Sequence, residues 1–193
     1  MMLFSRWWLR LKQSRGHGIH SPFAFDTITN VLHAKYGYYA FQDIPKILTE
    51  KSLQSYARSE INHLSFRLVN HFKAKRILEL NAAEGVNTRY LVASSSDIRC
   101  TCVATVPEPG AEPYDAIFIN LEEKVEIENL SIDALLQLSH ENSCWAIYPI
   151  NNRLSKQFWS LIVKDERISI TFDRKIMGLA FIRPSFHKMH YFV

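Results

Sequence analysis

Long apolar runs are absent: no stretch of about 18 apolar residues occurs in the 193 residues, so no membrane-spanning helix is expected. Cysteine is scarce. Cys100, Cys102 and Cys144 are odd in number and form no CxxC pair, which argues against a disulfide framework and a structural zinc site. All three read as small apolar residues within buried strands. Acidic residues are missing from residues 1–25, where Arg6, Arg10, Lys12 and Arg15 stand. Those four charges equal the formal net charge of +4, so the remaining chain carries equal numbers of basic and acidic side chains. Nucleic-acid binding would need a broader basic stripe than this. Met1 to Leu11 also lacks the continuous apolar region and small-residue cleavage site of a secretory signal, and the expected address is the cytoplasm.

What is present is a globular composition. At 47% hydrophobic and 22% charged, the chain can bury a substantial core, and collagen-like, coiled-coil and wholly disordered readings are excluded. The segment FSRWWLRLKQSR places Phe4, Trp7, Trp8 and Leu11 at helical spacing with its basic residues mostly elsewhere. That pattern suits packing on the chain's own domain, a lipid interface or a partner protein. Ser21 before Pro22 is an N-cap and first-turn pair that starts a helix through about His33. A turn is expected around Tyr36 to Phe41, and Ser52 to Phe72 reads as one long helix. Arg174 and Lys175, in a hairpin turn, read as solvated charges.

From Lys75 onward the pattern changes to short apolar runs. RILEL reads as a buried parallel strand, Val86 to about Ala93 as a helix, CTCVATV and YDAIFIN as strands, and PEPGAEP between them as non-helical. Ser131 caps IDALLQLSH, SCWAIYPI is a strand, Ser155 to Val163 is a helix, and RISITFDRKIMGLAFIRP is a hairpin turning at Asp173 to Lys175. The expected architecture is α/β: a helical N-terminal cap over residues 1–72 and a Rossmann-like core over 73–193, together one compact domain.

ILELNAAEG followed by VNTRYL is a strand, a small-residue turn and a helix, the layout of a nucleotide-binding βα turn. With YDAIFIN, SCWAIYPI and the closing hairpin in that order, the chain resembles the class I S-adenosylmethionine-dependent methyltransferases, in their O-methyltransferase-like branch. RGHGIHSPFAF and KMHYFV are similar to the two ends of a small subgroup of that family. The resemblance implies S-adenosylmethionine as cofactor and a methyltransferase-type sheet, with contacts at Glu79, Asn81, Ala83, Gly85, Thr105, Glu108 and Asn120.

Several positions depart from the family's pattern. Asn81 stands where the first loop glycine belongs, and adds bulk where the methionine portion of the cofactor approaches. Thr105 occupies the place of the acid that accepts from the ribose hydroxyls, with Glu108 three residues on; a hydroxyl is the poorer bidentate acceptor. PEPGAEP replaces a helix, a strand and a second helix that wall in the adenine. Seven extended residues span roughly 22 Å at about 3.1 Å each, so the sheet is expected to be shortened at the strand 2–3 edge. The metal carboxylates of catechol-type relatives are replaced by Asn120, and by Tyr148 and Pro149 with Asn151 and Asn152 beyond, so no metal site is expected. No general base stands out. The sequence thus supports a divergent methyltransferase-like protein, or a non-catalytic binding or scaffold protein on that fold. Its partner would be a small molecule, another protein or a further copy of the chain, with peripheral membrane contact through the Trp/Arg segment as a further reading. His17 with His20, and His187 with His190, are spaced as metal-ligand pairs, but the first pair lies in a glycine-broken loop, where Gly16 and Gly18 shape a turn and His20 orders the start of the Ser21 helix.

Overall fold

The computed structural model describes residues 19–110, 112–122 and 127–193. The N-terminal Trp/Arg segment and His17 lie outside the described residues. Ser21 caps the first helix as its order with Pro22 predicts: its Oγ accepts from the Ala24 N–H at 3.3 Å, and α1 (Pro22–Thr27) continues as a π-helical turn, Ile28–Leu32. The expected turn at Tyr36 to Phe41 is instead the entry to a helix, α2 (Tyr39–Lys46). Tyr38 and Phe41 pack on Phe66 while Tyr36 and Tyr39 face solvent.

The single helix expected from Ser52 to Phe72 is two, α3 (Lys51–Ala57) and α4 (Glu60–Phe72). Ser59 restarts the chain by capping the Asn62 N–H. Asn62, fully buried, donates from Nδ2 to the Tyr56 carbonyl at 2.7 Å, which satisfies an orphaned helix-end acceptor. A second break lies beyond α4, where Lys73 takes a left-handed conformation at φ 55°.

Seven strands then form one sheet: β1 (Arg76–Leu80), β2 (Arg99–Val103), β3 (Tyr114–Asn120), β4 (Ser139–Tyr148), β5 (Ile170–Asp173), β6 (Gly178–Phe181) and β7 (Met189–Phe192), in the order β2-β1-β3-β4-β6-β5-β7. Helices α5 (Val86–Val92), α6 (Ile132–Gln137) and α7 (Arg153–Lys164) connect them. The β5–β6 hairpin stands as predicted; β7, parallel to β5 at the sheet's far edge, is a strand that KMHYFV did not announce. Among the described residues no helix is long and apolar enough to cross a membrane.

Strand alternation divides the interior into two layers. Ile77, Ala116, Phe118, Cys144 and Ala146 meet α1, α4 and α5 on one face. Leu78, Leu80, Ile117, Ile119, Trp145 and Ile147 meet α6 and α7 on the other. The N-terminal helices therefore share a core with the sheet. One contact on the second face is unforgiving: a Cβ on Gly178 would lie 2.7 Å from the ring of Trp159, itself buried on α7. Gly178→Ala is expected to lower stability by about 1–3 kcal/mol, the usual range for overpacking, as a shift of the urea midpoint at unchanged slope.

The short link behaves as its length demands. β2 and β3 flank β1, both parallel to it, so the link from 104 to 113 passes β1 from the end of β2 to the start of β3, with no helix among its described residues. Val106 packs on the α6–α7 face and its N–H donates to Glu128. At the lower end Arg76 holds Glu112 and the Pro113 carbonyl, and the Asp115 carboxylate accepts from the Lys75 and Arg76 N–H groups at 2.7 and 2.8 Å.

Candidate functional site

The order in which strands are added reverses between the parallel strands β1 and β3: β2 lies to one side of β1, β4 to the far side of β3. In open α/β sheets this switch point, at the carboxyl ends of the strands, is where ligands bind. Leu80 is level with Ile119, so Asn81 and Asn120 stand side by side at the crevice. The turn after β1 places three residues in the left-handed region, Asn81 at φ 61°, Ala83 at φ 48° and Gly85 at φ 66°. Asparagine and glycine tolerate that conformation and alanine does not favour it. The Gly85 N–H closes the turn on the Ala82 carbonyl at 3.0 Å.

The structure brings Glu79, Asn81 and Asn120 together and engages the side chains of Glu79 and Asn81 within the fold, whereas Asn120 takes part through its backbone carbonyl. Asn81 Nδ2 donates to the Asn120 carbonyl at 3.2 Å, bridging the crevice. Glu79 is fully buried. Its Oε1 accepts from Asn87 Nδ2 at 2.8 Å, with the Tyr148 hydroxyl at 3.5 Å, and its Oε2 accepts from Thr88 Oγ1 at 2.5 Å. Burial raises the Glu79 pKa, while the hydrogen bonds from Thr88 and Asn87 pull it back. Burial also holds the Tyr148 hydroxyl well above its ordinary range, with Glu79 adding to the effect. Asn87 Oδ1 and Asn120 Oδ1 are buried without a hydrogen-bond partner.

Ala83, Thr105 and Glu108 are exposed. Thr105 lies two residues past the end of β2 on the edge of the sheet and Glu108 is in the extended link, so neither joins the Glu79 cluster. At the family's metal position, Asn152 caps α7 through Oδ1 to the Ser155 N–H at 2.7 Å and donates from Nδ2 to the Leu121 carbonyl at 2.7 Å. Asn151 is exposed and Tyr148 is turned to Glu79.

The cysteine expectation needs correction. Cys144 is buried, but Cys102 is exposed and Cys100 only half-buried, because β2 is the edge strand of the sheet among the described residues. Their sulfurs are 3.9 Å apart, and donor atoms of Cys100, Cys102 and Glu79 lie within 4.8 Å of one another. Burial pushes the Cys100 thiol far up, with Cys102 and Glu79 adding to it, which opposes the thiolate form that a metal needs.

A second correction concerns Arg174. It is not a solvated hairpin charge: its side chain is 17% exposed and paired with Glu60. With His33, Lys35, Arg58, His63 and Arg67 it lines a cavity of about 380 Å³. These residues are scattered over more than 140 positions, and the only local signal was His63 and Arg67 one turn apart on α4.

The sequence matches no family model and no curated protein. Solved structures do match. A methyltransferase from Geobacter sulfurreducens superposes with a TM-score of 0.55 at 9% identity, over 71% of this chain and 92% of that one. A Klebsiella pneumoniae protein classed provisionally as an O-methyltransferase gives 0.50 at 12% identity, over 79% and 94%. The O-methyltransferase of Bacillus cereus, in complex with SAH, gives 0.49 at 14% identity, over 72% and 96%. With the strand order and the switch-point turn, the first two likenesses show that the chain has a Rossmann-like, methyltransferase-type fold.

Proposed function

We propose that this chain is a divergent methyltransferase-fold protein that binds a ligand or partner without transferring methyl groups. The observation that carries the reading is the closure of the β1–β3 crevice by its own side chains: Asn81 tied across to Asn120, and Glu79 sealed beneath Asn87, Thr88 and Tyr148. Support comes also from the exposed, separate positions of Thr105 and Glu108 and from the helix-free link that replaces the adenine wall. These residues do not fit S-adenosylmethionine in the way that the family holds it. Thr105 rather than a carboxylate follows β2 where the family holds the ribose hydroxyls, and the methionine portion would have to displace a bridging amide.

A second reading, methyl transfer from S-adenosylmethionine, is favoured by one feature: the turn keeps a left-handed path at Asn81, Ala83 and Gly85. Calorimetric titration of the full chain separates the two. With S-adenosylmethionine added to millimolar concentration, no binding heat above dilution is expected. Stoichiometric binding at micromolar concentration would overturn the proposal.

A further inference from the structure

The cavity beneath the N-terminal helices is unusual in its charge and in what its charges lack. Lys35, Arg58, Arg67 and Arg174 line it against a single acid, Glu60, with His33 and His63 in the same wall. Arg67 is 8% exposed, and its Nε has no hydrogen-bond partner. Arg174 Nη1 and His63 Nε2 are likewise buried without one. Glu60 is already engaged by Arg174. Burying a guanidinium nitrogen without an acceptor is costly, and each such group in a folded protein calls for an explanation.

The donors are held in place. His63 stacks flat on Phe41 with ring centroids 3.9 Å apart. Arg67 follows His63 by one turn of α4 and so projects from the same face. Arg174 is fixed from the opposite side by the hairpin, its N–H donating to the Met177 carbonyl at 3.1 Å. Asp173 is level with Gly178, and Gly178 with Ile147, so Arg174 stands at the same edge of the sheet as Asn120. It is three strands away, about 14 Å at about 4.8 Å per strand.

We propose that this cavity binds a small molecule through a tetrahedral phosphate-type anion, held by Arg67, Arg174 and His63 with Arg58 and Lys35 at the rim. Guanidinium groups from two elements, α4 and the β5–β6 turn, line the cavity together with Arg58, Lys35 and the two histidines; several cationic groups around one cavity suit an anion with three acceptor oxygens, whereas a planar carboxylate is satisfied by one guanidinium edge. A volume of about 380 Å³ leaves room for an organic body beside the anion. The inference does not depend on whether the β1–β3 crevice admits a methyl donor.

The test is calorimetric titration of the full chain with inorganic phosphate and with pyrophosphate at constant ionic strength. Saturable binding of at least one of them is expected, weakened about tenfold or more in Arg67→Met and in Arg58→Gln, and unchanged in Arg99→Met on the exposed edge strand. In phosphate-free buffer Arg67→Met is expected to melt at a higher temperature than the parent, because burial and the nearby Arg174 both disfavour the Arg67 charge and outweigh the attraction of Glu60. Heat that tracks ionic strength alone, or equal binding by parent and Arg67→Met, would overturn the proposal. An Arg67→Met variant that is less stable than the parent or fails to fold would show Arg67 to be a structural residue; Arg58→Gln, on an exposed rim residue, then decides, and binding equal to the parent's in that variant would overturn the proposal.

Discussion

Glu79→Ala is expected to lower the unfolding free energy by about 3–5 kcal/mol, a loss large enough to leave the variant marginal at 37 °C. The carboxylate is the acceptor for Asn87 Nδ2 and Thr88 Oγ1 in the middle of the fold. Leaving a buried donor unmet costs about 1–3 kcal/mol, and the void left by the side chain adds to that. Glu79→Gln keeps the shape and mimics the protonated acid, so a much smaller loss is expected. It should also change the pH dependence. The pKa of Glu79 is raised in the folded state by burial, so the stability linked to its proton is fully present below the unfolded carboxylate pKa of about 4.3 and is lost as pH rises through the folded value. The glutamine variant should lack that part of the slope. Urea melts of the three proteins between pH 4 and 8 measure both effects. A loss below about 0.5 kcal/mol in Glu79→Ala, the size of an ordinary surface change, would mean that Glu79 is available to a ligand.

Trp145→Ala should cost about as much, about 3–5 kcal/mol, and for a different reason. The missing helices between β2 and β3 raise the question of whether the α6–α7 face is still a packed core. Trp145 is fully buried there, level with Ile117 and Ala180, and its Nε1 donates to Ser139 Oγ at 2.9 Å. The extended link covers this face through Val106, and Ile127 and Leu135 fill the space beneath. If the face were open to water, truncating the indole would cost little. A fall in midpoint with unchanged denaturant slope is expected; a small change would show that the shortened crossover leaves this layer loosely packed.

The fold was legible because its signals are local. A cap at Ser21, the RILEL and YDAIFIN runs, and the hairpin turn each state their element within a few residues. Their order implied the family fold that the sheet displays. Three features were misread for reasons that are not local. The break between α3 and α4 depends on Ser59 and on Asn62 reaching back to the Tyr56 carbonyl, and apolar spacing alone runs through it. Strand β7 is held by pairing with β5, a contact that its own polar sequence does not advertise. The exposure of Cys102 follows from β2 being the last strand of the sheet, which the missing crossover determines.

Of the candidate site, the resemblance placed Glu79, Asn81 and Asn120 at the ends of β1 and β3, and the structure sets these three at one crevice, with Thr105 and Glu108 apart from them. That Asn81 spans to Asn120, and that Tyr148 from β4 closes over Glu79, could be read only after strand register was known. The basic cavity was not legible at all. Its residues come from four separate segments, and what distinguishes Arg67 is the absence of a partner, which a sequence does not record.

The most direct test of the central claim is one backbone-amide NMR titration series on the labelled full chain, first with S-adenosylhomocysteine and then with pyrophosphate. The account predicts no shifts at Asn81–Gly85 or Asn120 with the first ligand, and saturating shifts around His33, Arg58, His63, Arg67 and Arg174 with the second. Saturating shifts through the Asn81–Gly85 turn on adding S-adenosylhomocysteine would contradict it.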